Sequence, residues 1–167
     1  MSFKEIEIKE LTVSPGELFG TKWTLIGAGD KEDHNIMTAS WGMLGKLWHK
    51  DVAVIFIRPQ RHTYKIVEET DSFTLSFLPE EHRDALSFCG KASGKDVDKF
   101  EKAGLTPCYV DDTTAVEEAN LVMVCKKLAI TDFDPADFID ESIDDFYPTK
   151  DYHRAYVGEI TKVFVKE

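Results

Sequence analysis

Cysteine is scarce and unpaired in this sequence. Cys89, Cys108 and Cys125 stand alone among 167 residues, and no Cys-x-x-Cys pair exists. That excludes a zinc ribbon and a dithiol redox motif. The five histidines (His34, His49, His62, His82 and His153) lack any His-x-x-x-His spacing, so metal chemistry finds no support. Long apolar runs are missing too. No stretch approaches the roughly 20 residues of a membrane span. Residues Met1–Leu11 are charged and alternating, without the apolar run of a secretory leader. A reducing, cytoplasmic setting is therefore expected. Positive charge is also short: 20 Lys+Arg against 31 Asp+Glu give a formal net charge of −11. Neutralising phosphates needs a positive surface, so nucleic acid and anionic membrane are not expected as partners.

Three familiar motifs also fail. Leu25-Ile26-Gly27-Ala28-Gly29 begins like a dinucleotide-binding turn, but Glu32 stands where the third glycine belongs, and a further strand follows in place of a helix. Gly90-Lys91-Ala92-Ser93 has no Gly-rich turn before its lysine, so it is not a phosphate loop of the Walker type. Asp132-Phe133-Asp134-Pro135-Ala136-Asp137 has the rhythm of a calcium loop, yet Asp137 replaces the required glycine and Pro135 intrudes.

What is present reads as a folded protein. A hydrophobic content of 43% with 31% charge argues against disorder, and the length suits one domain over residues 1–167. Period-two alternation predicts a short strand over Phe3–Leu11. Further strands are predicted at Trp23–Gly27, Asn35–Trp41, Val52–Ile57, Ser72–Phe77, Leu121–Ile130 and Tyr152–Val165. Gly29–Asp33 reads as a hairpin loop. Short helices are predicted from about Gln60–Thr63 to Glu69, from Pro79 to a stop at Gly90, and from an N-cap at Asp96 to Gly104. Strands dominate and their links are short. The fold class is mainly β with inserted helices, an antiparallel barrel or sandwich.

Charge is unevenly distributed. Asn35–Ile66 carries five cations against Asp51 alone, whereas Asp132–Asp151 holds eight acids and one lysine. The dense cationic part, Arg58-Pro59-Gln60-Arg61-His62-Thr63, falls where a strand ends and a helix begins. Free backbone N–H groups, a helix dipole and two guanidinium groups there suit a phosphate monoester. The alternative is a strand end whose arginines meet solvent or carboxylates. Upstream, Thr38 and Ser40 could meet a planar ligand beside Trp41, or satisfy only each other. The acidic segment is either a docking face for a basic partner or a solvated surface.

NIMTASWG, IFIRPQRHT, FTLSF and FCGKASGKDVDKF, in that order, with YHRAYVGEI near the end, resemble the flavin reductase-like domain family, flavoredoxin-like proteins included. The resemblance implies an FMN-binding split β-barrel acting as a homodimer. It places Thr38, Ala39, Ser40 and Trp41 along the flavin ring and ribityl chain, and Arg58, Arg61, His62 and Thr63 near the phosphate. Phe77 and Leu78 would edge the ring pocket. Cys89, Gly90, Lys91 and Ser93 would lie in a nearby loop, Lys91 and Ser93 as phosphate contacts, although Cys89 also reads as a small buried hydrophobe. If FMN binds, His153, close to the C-terminal strand, reads either as a contributor to the donor near flavin N1 and the C2 carbonyl oxygen or as a surface histidine.

Three functions stay open on this reading. One is an NAD(P)H-dependent flavin reductase, passing hydride equivalents through flavin N5 and taking NADH or NADPH as substrate. Another is an FMN-bound electron carrier served by a redox protein partner. The last is a barrel that binds a phosphate ligand without redox chemistry. No nucleophile or general base stands out, and hydride transfer requires none.

Overall fold

The computed structural model describes residues 3–167, and its centre is one antiparallel sheet of eight strands. In chain order the strands are β1 (Phe3–Ile6), β2 (Thr24–Gly29), β3 (His34–Ala39), β4 (Gly42–Leu47), β5 (Lys50–Ile57), β6 (Ser72–Phe77), β7 (Pro107–Val110), β8 (Thr113–Val116), β9 (Leu121–Asp132) and β10 (Arg154–Lys166). The helices are α1 (His62–Glu69), α2 (Arg83–Lys91) and α3 (Lys99–Ala103). The main path runs β3-β2-β6-β9-β10-β5-β4, with β1 added to β10, and β7-β8 form a separate hairpin.

Alternation sorts the core into two layers. Ile26 and Ala28 of β2 join Ile55, Phe73, Met123 and Tyr156 inside the curved sheet. Leu25 of β2 and Ile36 of β3 face the other way, onto Leu86 and Cys89 of α2 and Phe100 of α3. The helices thus cover one outer flank of the sheet.

Several predicted boundaries move. Residues beyond Ile6 leave the first strand for a short helical turn, Ile8–Glu10. Gly90 does not stop α2; it lies within the helix, which ends at Lys91. The N-cap of α3 is Asp98, whose carboxylate accepts from the Phe100 and Glu101 amides at 2.9 and 3.1 Å, and not Asp96. Gly104 does close α3, in the left-handed conformation at φ 66°. β4 was not anticipated, because its two-residue turn to β5 is Trp48-His49, at φ 51° and 60°, without the usual Asn-Gly signal. The Asp111-Asp112 turn between β7 and β8 is likewise left-handed, at φ 48° and 58°.

Between β9 and β10 the chain makes a strap, residues 133–153, of turns at Pro135–Asp137 and Glu141–Phe146. Its acids partly serve the backbone: Asp134 and Asp140 accept from the Ala136 and Ser142 amides at 2.9 and 3.0 Å. Its aromatic rings reach the barrel, although Phe133 and Phe146 stay partly open to solvent. Phe133 stacks on Phe56 of β5 at 5.6 Å, and Phe146 meets Trp41 edge-on at 5.6 Å. The strap is amphipathic, a solvated acidic face over an aromatic underside.

Candidate functional site

The two ends of the strand path, β3 and β4, are consecutive in sequence and joined only by Ser40-Trp41, so the barrel is split there. Gly42 opens β4 because a Cβ at that position would lie 2.3 Å from the Phe19 ring. Three cavities meet at the split. The first, roughly 200 Å³, is lined by Thr38, Trp41, Phe56, Arg58, Arg61 and His153, among others. A second, roughly 350 Å³, shares Thr38 and Ser40 and adds Trp23, Leu86, Gly90 and Lys91. The third, roughly 860 Å³, shares Ser40, Trp41 and Phe56 and extends beneath the strap.

Arg61 is the N-cap residue of α1 and half-buried. Its guanidinium donates to the Gly90 carbonyl at 2.7 Å and the Cys89 carbonyl at 3.3 Å, terminal acceptors of α2. Lys99, 3% exposed, donates to the same Cys89 carbonyl at 2.9 Å and to the Ile36 carbonyl at 3.0 Å. Two cations therefore close the negative end of α2. Burial, and secondarily Arg61, lowers the Lys99 pKa to about 8. Burial lowers that of Arg61 as well.

α1 itself begins without help. No side chain caps it, its first turn carries no acid, and His62 Nδ1 is buried without a hydrogen-bond partner. Arg61 has spent two of its five N–H donors. Unused N–H donors therefore remain at this helix start, which is the chemistry of an anion seat.

Arg58 faces a different task. It donates to Asp151 at 2.7 Å and to the Phe146 carbonyl at 2.9 Å, and its guanidinium lies 4.9 Å from the Tyr147 ring centre. Gln60 and Thr149 also hydrogen-bond Asp151. Burial would raise the Asp151 pKa, but these donors outweigh it and hold the carboxyl below its usual range. Arg58 thus latches the strap to the end of β5. Beside it His153, 8% exposed, pairs through Nδ1 with the Tyr147 hydroxyl at 2.8 Å and lies 5.2 Å from the Trp41 ring. Burial, then the Arg58 charge, lowers its pKa to about 4 and keeps the ring neutral.

The structure brings Thr38, Ala39, Ser40, Trp41, Arg58 and Arg61 to one cavity and Lys91 to its neighbour. The Thr38 hydroxyl donates to the Leu86 carbonyl at 2.6 Å and not to Ser40. Thr63 is fully buried and accepts from Asn35 at 2.9 Å. Phe77, Leu78 and Cys89 are core residues that line none of the three cavities, and burial raises the Cys89 pKa to about 11. Ser93 accepts from the Lys95 amide at 3.2 Å within its own turn. The sequence does not announce the places of Lys99, Asn35 and Phe56 at the site. Lys99 sits on a short helix in a charged stretch, and nothing local marks it as buried.

Residues 17–167 match the family described as Flavin reductase like domain. The chain belongs to that family. Its fold is shared with flavoredoxin of Desulfovibrio vulgaris (Miyazaki F), at TM-score 0.69 and 23% identity over 98% of this chain and 78% of that one. Flavoredoxin from Methanosarcina acetivorans superimposes with TM-score 0.69 at 22% identity, over 87% and 69% of the two chains. A split-barrel protein from Shewanella frigidimarina gives TM-score 0.69 at 20% identity, over 97% and 76%. The flavin reductase like fold of this chain is thus a mostly antiparallel split barrel. No curated protein sequence matches the chain significantly. Among the described residues no helix is long and apolar enough to cross a membrane, and no group of three or more metal-ligating side chains gathers.

Proposed function

We propose that the chain is an FMN-binding oxidoreductase with the flavin lodged at the split of the barrel. The uncapped, acid-free start of α1, with His62 Nδ1 unpartnered and Arg61 holding spare donors, carries the proposal. That seat suits a phosphate monoester, held by Arg61 and His62 with Lys91 at the rim. Thr38, Ala39, Ser40 and Trp41 would line the ring and ribityl chain. Thr63, Phe77, Leu78 and Cys89 support that wall from behind, and Ser93 fixes the turn after α2. Bound FMN supplies one- and two-electron chemistry that the side chains lack. The chain's own residues orient and shield it. Arg58 closes the strap, Trp41 and Phe56 exclude water, and neutral His153 offers one ring nitrogen beyond its bond to Tyr147.

In this reading the electron source is NADH or NADPH. A second reading, an electron carrier fed by a reduced protein partner, gains from the charge at the mouth. Asp132, Asp134 and Asp137 line the large cavity and, among the described residues, no lysine or arginine does, which disfavours a polyanionic dinucleotide. Homodimer formation belongs to both readings, supported by exposed Met43, Leu47 and Trp48 on and beside the end strand β4. A cytoplasmic home is also proposed.

Absorption of the purified protein tests the flavin, and anaerobic titration with NADH and NADPH tests the donor. Bleaching by either nucleotide supports the reductase. Colour that persists with both, yet fades with a reduced protein donor, supports the carrier. Arg61→Ala is expected to weaken FMN by on the order of 1.5–3 kcal/mol, about tenfold or more, and riboflavin far less. Equal losses for both ligands would remove the phosphate role.

A further inference from the structure

Lys99 is a buried cation whose partners carry no charge. It is 3% exposed, and its two hydrogen bonds go to backbone, the Cys89 carbonyl at 2.9 Å and the Ile36 carbonyl at 3.0 Å. The Arg61 guanidinium reaches that same Cys89 carbonyl at 3.3 Å, so two cations share one oxygen atom. Carbonyl dipoles at the end of α2 offset part of this charge and leave no full negative charge beside it. Burying a cation is costly without a carboxylate to pair it.

The groups around Lys99 supply no such pairing. Cys89 of α2 is an un-ionised thiol at neutral pH, its pKa raised to about 11 by burial, and Arg61 adds only repulsion. Glu101 and Lys102, on α3 itself, are exposed. A polar cavity of roughly 400 Å³ brings Lys99 together with Glu32, Asp33 and His34 from the β2-β3 hairpin and Lys95, Asp96 and Asp98 from the segment before α3. Among the described residues Lys99 forms no ion pair with these acids, and Asp98 is committed to the Phe100 and Glu101 amides. The cavity does give a proton a polar route to the ammonium.

Position adds to charge. Ile36 lies on β3 just before Thr38, and the Cys89 and Gly90 carbonyls hold Arg61. One ammonium thus ties together the two elements that border the proposed phosphate seat. We propose that Lys99 is a positioning residue for that seat: it fixes the carbonyl that orients Arg61 and adds an inner positive charge that a bound phosphate balances. The inference rests on the flavin reading, through the phosphate assigned to Arg61 and His62, and goes beyond it by requiring a proton. With no anion at the seat the ammonium gives up its proton around pH 8, and a dianion beside Arg61 makes it keep that proton to higher pH. Binding a phosphate ester near pH 8 therefore takes a proton from solvent. Riboflavin, which has no phosphate, takes none.

The full chain, freed of flavin, is titrated calorimetrically with FMN and with riboflavin from pH 7 to 9, in two non-phosphate buffers of different ionisation enthalpy. FMN is expected to bring about half a proton at pH 8 and to bind about tenfold more weakly at pH 9 than at pH 7. Riboflavin should show neither effect. Lys99→Met should weaken FMN at pH 7, leave riboflavin within about threefold, and bring no proton at pH 8. Lys99→Arg, whose charge does not titrate in this range, should restore FMN affinity at pH 7 and hold it at pH 9. Proton uptake that survives in Lys99→Met belongs to another group and overturns the inference. Equal losses of FMN and riboflavin in Lys99→Met, the mark of a merely structural lysine, overturn it as well. Wild-type protein that prefers FMN to riboflavin yet takes up no proton defeats this inference alone. Equal wild-type affinity for the two ligands defeats the phosphate seat, and this inference with it.

Discussion

At the scale of single residues, His153 shows how position sets chemistry. A surface histidine titrates near pH 6.5. This one is walled in by Trp41 and Tyr147 with the Arg58 charge close by, so it stays neutral down to about pH 4. Its folded value lies below its unfolded one, so the unfolded chain takes the proton first as pH falls. Stability is therefore lost between about pH 6.5 and 4, at up to about 1.4 kcal/mol per pH unit from this group. Urea unfolding of the wild type and His153→Gln across that range is expected to show a shallower slope for the variant. Equal slopes would mean that His153 protonates freely in the folded protein. Arg61 makes a related point. Its guanidinium serves α2 and the proposed phosphate together, so Arg61→Ala will cost stability as well as affinity, and riboflavin separates the two effects.

At the scale of elements, the strap is the least expected part. Its sequence advertises acids, and only the structure shows the rings beneath them. Asp151 ties it down through Arg58, Gln60 and Thr149. Asp151→Asn removes the charged acceptor and should loosen the strap by on the order of 1.5–3 kcal/mol. Chymotrypsin cleavage near Phe146 should then accelerate while the barrel strands keep their amide protection. Unchanged cleavage would show that aromatic packing alone holds the strap.

The same contrast explains what the sequence conveyed and what it withheld. β5 and β6 were plain because runs such as VAVIFI and SFTLSF carry their strand signal locally. The arginines at the start of α1 were plain for the same reason. β4 was hidden because its turn uses Trp48 and His49 in a left-handed conformation that their side chains do not announce. The roles of Lys99 and Asn35 were hidden differently. Each depends on a partner far along the chain, Cys89 and Ile36 for one and Thr63 for the other. The separate fates of Arg58 and Arg61 were invisible for that reason too.

At the scale of the whole molecule, the formal charge of −11 is a standing self-repulsion. Acids crowd the strap, and the cations nearest the split are mostly spent on helix ends and carboxylates. Added salt shortens the reach of that repulsion, from roughly 30 Å at 0.01 M to 10 Å at 0.1 M. The midpoint of thermal unfolding is therefore expected to rise over that interval in sodium chloride. A falling midpoint would show that local ion pairs, such as that of Arg154 with Asp132, outweigh the net charge.

The sheet is assembled around β10, which bonds β9, β5 and β1 although it is the last strand in the chain. On a translating ribosome, β1, β5 and β9 emerge before the strand that joins them. The early hairpins β2-β3 and β4-β5 must wait with apolar faces uncovered. The barrel closes only once β10 is free to pair, so its dangerous interval is the wait before that strand arrives.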